Sequence, residues 1–318
     1  MLVQQSTEIK EEILKLKKQK DVVILAHNYQ VPDVQDVADF VGDSLGLSRQ
    51  AAKVDNKTIL FCGVHFMAET AAIISPQKKV LIPDLDAGCS LSDSITLDDL
   101  RKWKKDYPNA ISVGYVNTTA EIKSELDYCC TSSNAVNVVK AIPEDKEILF
   151  LPDMFLGSYV AKMTGRKNMY IWAGECHVHA GIKSEDVQKK LDQLNNAEFL
   201  VHPECSCTTP LLYDVAAGDY GNREVKILST EGMMNHAKNS NAQQFVVATE
   251  TGILYRMKQQ NPEKMFVPAS EKAECQYMKM ITPEKVYASL REDKYEVKVP
   301  KVIADKARTA IERMLSIS

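Results

Sequence analysis

One pattern recurs three times along this chain of 318 residues, and it constrains the fold more than any other feature of the sequence. In each third, a short apolar run ends in two polar residues separated by one position. These pairs are His27 with Tyr29, Tyr115 with Asn117, and His202 with Glu204. The leading members lie 88 and 87 residues apart. Because self-similarity at a fixed period is typical of a repeated structural unit, we expect three copies of one unit.

Short β-branched runs alternate with helical segments throughout the chain. The runs of strand type cover residues 22–26, 58–61, 79–82, 111–116, 127–130, 147–151, 169–172, 197–201, 225–228, 244–248 and 264–267. Such alternation indicates parallel sheets whose two faces are both covered by helices. We therefore predict an α/β fold made of three pseudo-threefold-related α/β domains, each a small parallel sheet flanked by helices.

The repeat also suggests where the units begin and end. We place the first α/β unit at residues 1–92, the second at 93–177 and the third at 178–285. The C-terminal segment 286–318 is expected to pack back on the first unit. The turn-rich polar stretch 218–223 is interpreted as an insertion in the third unit.

Residues that commonly cap helices follow several of the predicted strands. Ser44, Thr118, Ser132 and Thr230 each come just before a segment with a helical pattern. In a parallel sheet such helix starts gather at the carboxyl edge of the strands, where free amides and the positive helix end favour anions. Any one of these residues alone would be interpreted as a cap. Together with the polar pairs at the strand ends, they predict a shared pocket for a small polyanion.

Three cysteines are distributed one to each third of the chain: Cys89, Cys176 and Cys275. Their spacing matches neither a zinc ribbon nor a ferredoxin, so spacing alone leaves a structural role and a ligand role equally open. Dispersed thiolates of this kind are also able to hold an iron–sulfur cluster and leave one iron without a protein ligand. Such an open metal position acts as a Lewis acid.

The other five cysteines differ in their setting. Cys62, Cys129 and Cys130 lie within strand-like runs and are interpreted as core residues. Cys205 and Cys207 lie beside His202 and are an alternative pair of metal ligands. In a reducing compartment the eight cysteines are not expected to form a disulfide framework.

Composition argues against several classes of partner. The net charge of −4 gives no basic surface for nucleic acid. The chain has no stretch that approaches the roughly 20 continuous apolar residues of a membrane span, and its start has no apolar core of the signal-peptide type. We therefore expect a cytoplasmic protein without a nucleic-acid or membrane partner.

Nine short motifs, taken in their order along the chain, are highly specific. They occupy residues 26–30, 42–44, 87–89, 115–118, 131–132, 174–179, 202–205, 229–230 and 275–278. In these motifs, and over essentially its whole length, the chain resembles the quinolinate synthase family. This resemblance implies an oxygen-sensitive enzyme of de novo NAD biosynthesis that condenses iminoaspartate with dihydroxyacetone phosphate to give quinolinate, phosphate and water.

The resemblance also implies a cofactor and roles for individual residues. It implies a [4Fe–4S] cluster at the junction of three domains, bound by Cys89, Cys176 and Cys275, with the fourth iron open to substrate. Tyr29 and Glu204 are the implied acid/base residues, with His27 and His202 beside them. The implied substrate-binding residues are His27, Ser44, Tyr115, Asn117, Ser132, His179, His202, Glu204, Ser229 and Thr230. No role follows for His65, Glu69 or His177, nor for the pair Cys205 and Cys207.

Two other classes of function stay under consideration. One is a zinc-dependent hydrolase that uses Cys176, His177 and His179; the other is a non-catalytic iron–sulfur sensor, for which the chain has no spare output segment. The sequence leaves the oligomeric state open, a homodimer being one arrangement. It also leaves open a transient contact with an aspartate-oxidising enzyme that would hand over the unstable imine.

Overall fold

Three parallel sheets of four strands each follow one another along the chain. The computed structural model describes residues 2–194, 196–208, 210–211 and 224–317. The sheets confirm the α/β fold with three sheet units. The insertion predicted at 218–223 lies outside the described residues.

The first sheet contains strands β1 to β4, and the helices of the same stretch of chain are α1 to α4. The strands are β1 (Val22–His27), β2 (Phe40–Gly42), β3 (Thr58–Cys62) and β4 (Lys79–Leu81). The helices are α1 (Leu2–Gln19), α2 (Pro32–Val37), α3 (Ser44–Lys53) and α4 (His65–Ile74). Every residue of β1 is buried, as expected for a central strand with helices on both faces.

The second and third sheets are built from the same kinds of element. The second has β5 (Ile111–Tyr115), β6 (Tyr128–Cys130), β7 (Ile148–Leu151) and β8 (Met169–Ile171), with α5 (Leu97–Asp106), α6 (Ala120–Lys123), α7 (Ala135–Lys140) and α8 (Met154–Thr164). The third has β9 (Glu198–Val201), β10 (Val225–Ile227), β11 (Gln244–Ala248) and β12 (Met265–Pro268), with α9 (His177–Ala180), α10 (Ser184–Gln193), α11 (Thr230–Asn239), α12 (Ile253–Gln260) and α13 (Gln276–Lys279). The chain continues with α14 (Pro283–Glu292) and α15 (Lys301–Ser316).

All three sheets have the same strand order. The spatial orders are β2-β1-β3-β4, β6-β5-β7-β8 and β10-β9-β11-β12. In each sheet the first strand is central, and the chain passes to one side of it for the second strand and to the other side for the third. Such a reversal opens a crevice beyond the carboxyl end of the first strand, which is where open α/β sheets bind ligands.

One strand was not predicted from the sequence. The eleven predicted strand runs all correspond to strands, but β2 was missed. This strand has only three residues, and its first residue, Phe40, is 38% exposed. It pairs with β1 through Leu25 opposite Phe40. A segment this short becomes a strand because the exposed edge of β1 offers it hydrogen bonds. No pattern within the segment itself indicates that this edge is nearby.

The C-terminal helices contact two of the units. Helix α14 packs against α1, whereas α15 packs against α4 of the first unit and against α6 and β6 of the second. The boundaries placed at 92, 177 and 285 stay a prediction. Among the described residues, every helix is too short or too polar to span a bilayer.

The third sheet separates two regions of hydrophobic core. Leu200 and Phe245 face the large core that the units share, while Phe199 and Val246 face a smaller core beneath α10. Alternation along each strand sends neighbouring residues to opposite faces. The third sheet is therefore buried on both sides.

Phe199→Ala tests the smaller core. Phe199 is fully buried, so its truncation should lower the free energy of unfolding by about 3–5 kcal/mol through lost burial and a residual cavity. The measurement is a urea unfolding midpoint. Met265→Ala, at a position 47% exposed on the same sheet, is the matched control and should change the midpoint little. Equal midpoints for the two variants would contradict the packing described.

Candidate active site at the junction of the three sheets

One cavity is lined by residues from all three units. The predicted site residues that line it are His27, Tyr29, Ser44, Cys89, Tyr115, Asn117, Ser132, Cys176, His179, His202, Glu204, Thr230 and Cys275. The remaining predicted residue, Ser229, lines a neighbouring cavity, and its hydroxyl accepts a hydrogen bond from Gly232 N. The crevices at the ends of β1, β5 and β9 thus open into a common space.

Glu204 is the electrostatic centre of this cavity. The hydroxyl of Tyr115 donates to Glu204 Oε1. His179 Nδ1 lies 3.2 Å from Oε2, and His202 Nδ1 lies 3.6 Å from Oε1. Burial alone would raise the pKa of Glu204, but the charge of His179 and hydrogen bonds with His179 and Tyr115 lower that pKa to about 2. Glu204 is therefore a carboxylate at neutral pH.

His27 and His202 occupy equivalent positions in two units and share one local geometry. The backbone N–H of Tyr29 donates to His27 Nδ1 at 3.2 Å, and that of Glu204 donates to His202 Nδ1 at 3.4 Å. Burial lowers the pKa of each imidazole to about 3, so both are neutral at physiological pH. A neutral imidazole whose Nδ1 accepts carries its proton on Nε2. Each ring therefore presents an Nε2–H donor.

Tyr29 and His179, which line the same cavity, share the buried hydroxyl of Thr249 as a hydrogen-bond partner. Tyr29 Oη lies 2.5 Å from Thr249 Oγ1, and His179 Nε2 lies 2.9 Å from the same oxygen. Burial and the charge of Glu204 raise the pKa of Tyr29 well above its usual value, so its phenol stays protonated. Burial opposes protonation of His179, but Cys176 and Glu204 raise its pKa to about 10.

The helix starts differ from all four predicted caps. Thr119 caps α6 in place of Thr118, and Asn134 directly precedes α7, for which Ser132 was predicted. Asp43 caps α3 by accepting from Gly46 N, and Ser229 caps α11. Ser44 and Thr230 are instead the first residues of these helices, and both line the cavity. Asp43 and Ser229 have the extended backbone that a cap requires, so the hydroxyl of the next residue is not needed as the cap.

Two polar groups near these helix starts differ in whether they have a hydrogen-bond partner. Thr230 Oγ1 accepts a hydrogen bond from Asn28 Nδ2 at 3.1 Å. Asn117 Oδ1 is buried and has no hydrogen-bond partner among the described residues. Since buried polar atoms in proteins are nearly always paired, Asn117 Oδ1 is an acceptor that a bound molecule is able to satisfy.

The three dispersed cysteines are free thiols that line the cavity together, and each is partly buried. Cys176 and Cys275 directly precede the short helices α9 and α13. Burial raises the pKa of all three, that of Cys89 to about 12.

The remaining cysteines lie outside the cavity lining. Cys62, Cys129 and Cys130 are buried in strands, in agreement with the sequence interpretation. Cys205 and Cys207 form a single local disulfide, and the other six cysteines are free, so the eight cysteines form no disulfide framework. The Cα atoms of Cys205 and Cys207 lie 5.2 Å apart in a tight turn, a separation at which a disulfide forms. Neither lines the cavity, so the alternative of a ligand pair at these residues is wrong.

An ion pair between Glu250, which lines the cavity, and the partly buried Lys279 was not found from the sequence. Glu250 Oε1 lies 2.7 Å from Lys279 Nζ and accepts the backbone N–H of Cys275 at 3.1 Å. Lys279 Nζ also donates to the carbonyl oxygen of Tyr29 at 2.6 Å. The pair thus links a cavity cysteine of the third unit to the loop after β1. Thr249 and Glu250 come directly after β11. Their position at the end of a strand is the sequence feature from which they could have been identified as candidate site residues.

His65 and Glu69, whose role stayed open in the sequence, belong to the contact between α4 and α6. Glu69 Oε2 accepts the backbone N–H of Ala120 at 2.9 Å. His65 Nδ1 lies 3.8 Å from Glu69 Oε1. Neither residue is part of the cavity lining.

The low pKa of His27 predicts a pH dependence of stability. Below about pH 6.5 the unfolded chain binds a proton at this imidazole, whereas the folded chain binds it only near pH 3. The free energy of unfolding should therefore fall with decreasing pH across this window, by roughly 1 kcal/mol per pH unit for one histidine. Urea unfolding at several pH values should show a smaller slope for His27→Gln. An unchanged slope would indicate that His27 is already protonated in the folded protein.

Comparison with known proteins identifies the family of this chain. A family model described as quinolinate synthetase A protein matches residues 11–316. A quinolinate synthase of Thermus thermophilus is 53% identical over 307 residues, which cover 96% of this chain and 96% of the relative. A quinolinate synthase of Mycobacterium tuberculosis is 53% identical over 306 residues, covering 96% of this chain and 88% of the relative.

One solved structure aligns only loosely. It is the E-1-hydroxy-2-methyl-but-2-enyl-4-diphosphate reductase from Plasmodium falciparum, with a TM-score of 0.34 and 13% identity over 92% of this chain and 94% of that chain. A score of this size supports no argument. The family model and the relatives, in contrast, span nearly the whole sequence, and the residues that the family model matches include all of the cavity lining. On these matches the chain belongs to the quinolinate synthetase A protein family of enzymes.

Proposed function

We propose that this chain forms quinolinate from iminoaspartate and dihydroxyacetone phosphate, with release of phosphate and water. The observation that carries the proposal is the convergence in one cavity of an ionised Glu204, protonated phenols, neutral imidazoles and three free thiols. Condensation, cyclisation and dehydration all require groups that give and take protons beside the reacting atoms. Family membership supports the same activity.

The thiols Cys89, Cys176 and Cys275 suit an iron–sulfur cluster. They are unpaired, come one from each third of the chain and line one cavity. Thiolate sulfur is the ligand that such clusters use. We propose that the three cysteines would hold a [4Fe–4S] cluster and leave one iron without a protein ligand. Bound there, the cluster would supply a Lewis acid for an oxygen atom of the substrate.

Both substrates carry anionic groups, and the cavity offers donors for them. Ser44 and Thr230 begin α3 and α11, helices of ten residues each whose first backbone N–H groups lack intrahelical partners. Helix starts of this kind bind carboxylates and phosphates. Ser132 adds a hydroxyl, and the unpaired Asn117 Oδ1 is available to a substrate hydroxyl or N–H. We propose that these residues orient the two molecules for condensation.

Glu204 and Tyr29 are the proposed proton acceptor and donor. In the cavity as described, the low pKa of Glu204 makes it a weak base. A bound dicarboxylate brings further negative charge beside it, and like charges raise the pKa of a carboxyl group toward the working pH. Tyr29 keeps its proton and is able to donate it to a departing oxygen. His27 and His202 would steady substrate oxygens through their Nε2–H groups.

The other functional classes fit the site less well. The zinc-dependent hydrolase requires Cys176, His177 and His179 around one ion. His177 Nδ1 instead lies 2.6 Å from Ser90 Oγ, and the described groups with ligand atoms near Cys176 are His179 and Glu204. A non-catalytic sensor would not need the ionised Glu204 beside protonated phenols. We further propose a cytoplasmic enzyme, with a homodimer and direct transfer of the imine from an aspartate-oxidising enzyme as associations to test.

Glu204→Gln tests the proton acceptor. The amide keeps the shape of the side chain but is not able to take up a proton, so the turnover rate should fall about 10²–10⁴-fold. The measurement is anaerobic quinolinate formation at saturating substrate, with iron and acid-labile sulfide determined on the same sample. A variant with full activity would remove Glu204 from the proton transfer, and one that lost iron would assign it to the cluster site instead.

Cys176→Ala tests whether Cys176 is a cluster ligand. The matched control is Cys130→Ala, the same change at a cysteine buried in β6. The parent protein, purified without oxygen, should contain about four irons per chain and absorb broadly in the visible range. Cys176→Ala should lose most of both signals, whereas Cys130→Ala should keep them. Unchanged iron in Cys176→Ala would refute its role as a ligand.

A further inference from the structure

The loops that carry the cavity cysteines touch one another through neighbouring residues. Ser90 Oγ, next to Cys89, lies 2.6 Å from His177 Nδ1. The rings of His177 and Tyr277 meet edge to face, with centroids 6.0 Å apart. Tyr277 in turn faces Gly88, where an added Cβ would lie 3.9 Å from the tyrosine ring. These contacts join the three loops in a closed cycle. We call the four residues that make the contacts, Gly88, Ser90, His177 and Tyr277, the cysteine ring after the loops that they join; none of the four is itself a cysteine.

The cysteine ring lies at the outer end of the cavity. His179, His202 and Glu204, at the inner end, are only 2–3% exposed. The cysteines are partly exposed, and His177, directly after Cys176, is exposed. All four ring residues line the cavity. The ring therefore stands where the cavity cysteines come nearest to solvent.

A second cavity borders a different part of the main one. Asp43 and Ser132 line both the main cavity and a neighbouring one, whose lining also includes Arg49, Ser229 and Glu231. Substrates therefore have a side of approach away from the cysteine ring, next to the helix starts proposed to bind anions. The ring does not need to open for substrate binding.

We propose that the cysteine ring is a closure that joins the three cysteine loops and restricts access of dissolved molecules to the thiols and to a cluster bound by them. The part concerning a cluster rests on the proposed function, whereas the part concerning the thiols does not. Each unit supplies one loop, and no covalent bond joins the loops within the ring. The cysteine ring is held together by the hydrogen bond between Ser90 and His177 and by van der Waals contacts of the aromatic side chains of His177 and Tyr277.

Contacts of this strength set a measurable opening equilibrium. Loss of one ordinary hydrogen bond raises the population of a locally opened state about fivefold. Ser90→Ala removes only the hydrogen bond to His177, and His177→Ala also removes the contact with Tyr277. Tyr277→Phe keeps the aromatic ring, and none of the described ring contacts uses the tyrosine hydroxyl. It is therefore the matched control, together with Gln276→Ala at an exposed neighbour of Cys275.

The first test measures alkylation of the cluster-free full chain by iodoacetamide, with mass spectrometry to resolve each cysteine. Cys89, Cys176 and Cys275 should react about fivefold faster in Ser90→Ala and at least as fast in His177→Ala. Both control variants should react at the parent rate. Cys62 and Cys129, buried in β3 and β6, should stay slow in every variant, which excludes general unfolding as the cause.

The second test measures iron release to a chelator from the anaerobically loaded protein, followed by visible absorbance. The same two variants should release iron faster than the parent, while KM for both substrates stays at the parent value. A parent protein that holds no iron would refute the cluster proposal. The alkylation rates would still test whether the cysteine ring restricts access to the thiols. Equal alkylation rates in Ser90→Ala, His177→Ala and the parent would overturn the closure itself.

Discussion

The structure depends on a constraint of parallel sheets: each strand must be followed by a crossover before the next strand runs in the same direction. The residues after every strand therefore collect at one edge of the sheet. In all three sheets the first strand is central, and the chain turns to opposite sides of it for the next two strands. The repeated order directs three crevices, beyond β1, β5 and β9, into one cavity.

Burial of charge gives this cavity its chemistry. An isolated buried carboxylate costs several kcal/mol, yet Glu204 is surrounded by a phenol of the second unit and two imidazoles of the third. The same burial keeps His27, His202 and Tyr29 uncharged. A carboxylate and neutral proton donors thus coexist only while the units remain closed together, because water would return each group to its ordinary pKa.

The sequence predicted most of the fold and most of the cavity lining, and the differences have local causes. Strand β2 was missed because its pairing with β1 comes from a neighbour rather than from its own three residues. Asp43 and Ser229 cap their helices in place of Ser44 and Thr230. Either residue of each pair is suited to capping, and only the backbone angles decide which one does so.

By itself the sequence determined a threefold α/β repeat with polar residues at its strand ends, because periodicity and apolar runs are local properties. It also determined that Cys89, Cys176 and Cys275 lie one in each third of the chain. Only the tertiary structure decided that Thr249 joins Tyr29 and His179, and that Ser90, His177 and Tyr277 meet beside the cysteines. These contacts join residues as far as 220 positions apart. Distances of that kind are set by how the three sheets pack, which no local pattern in the chain encodes.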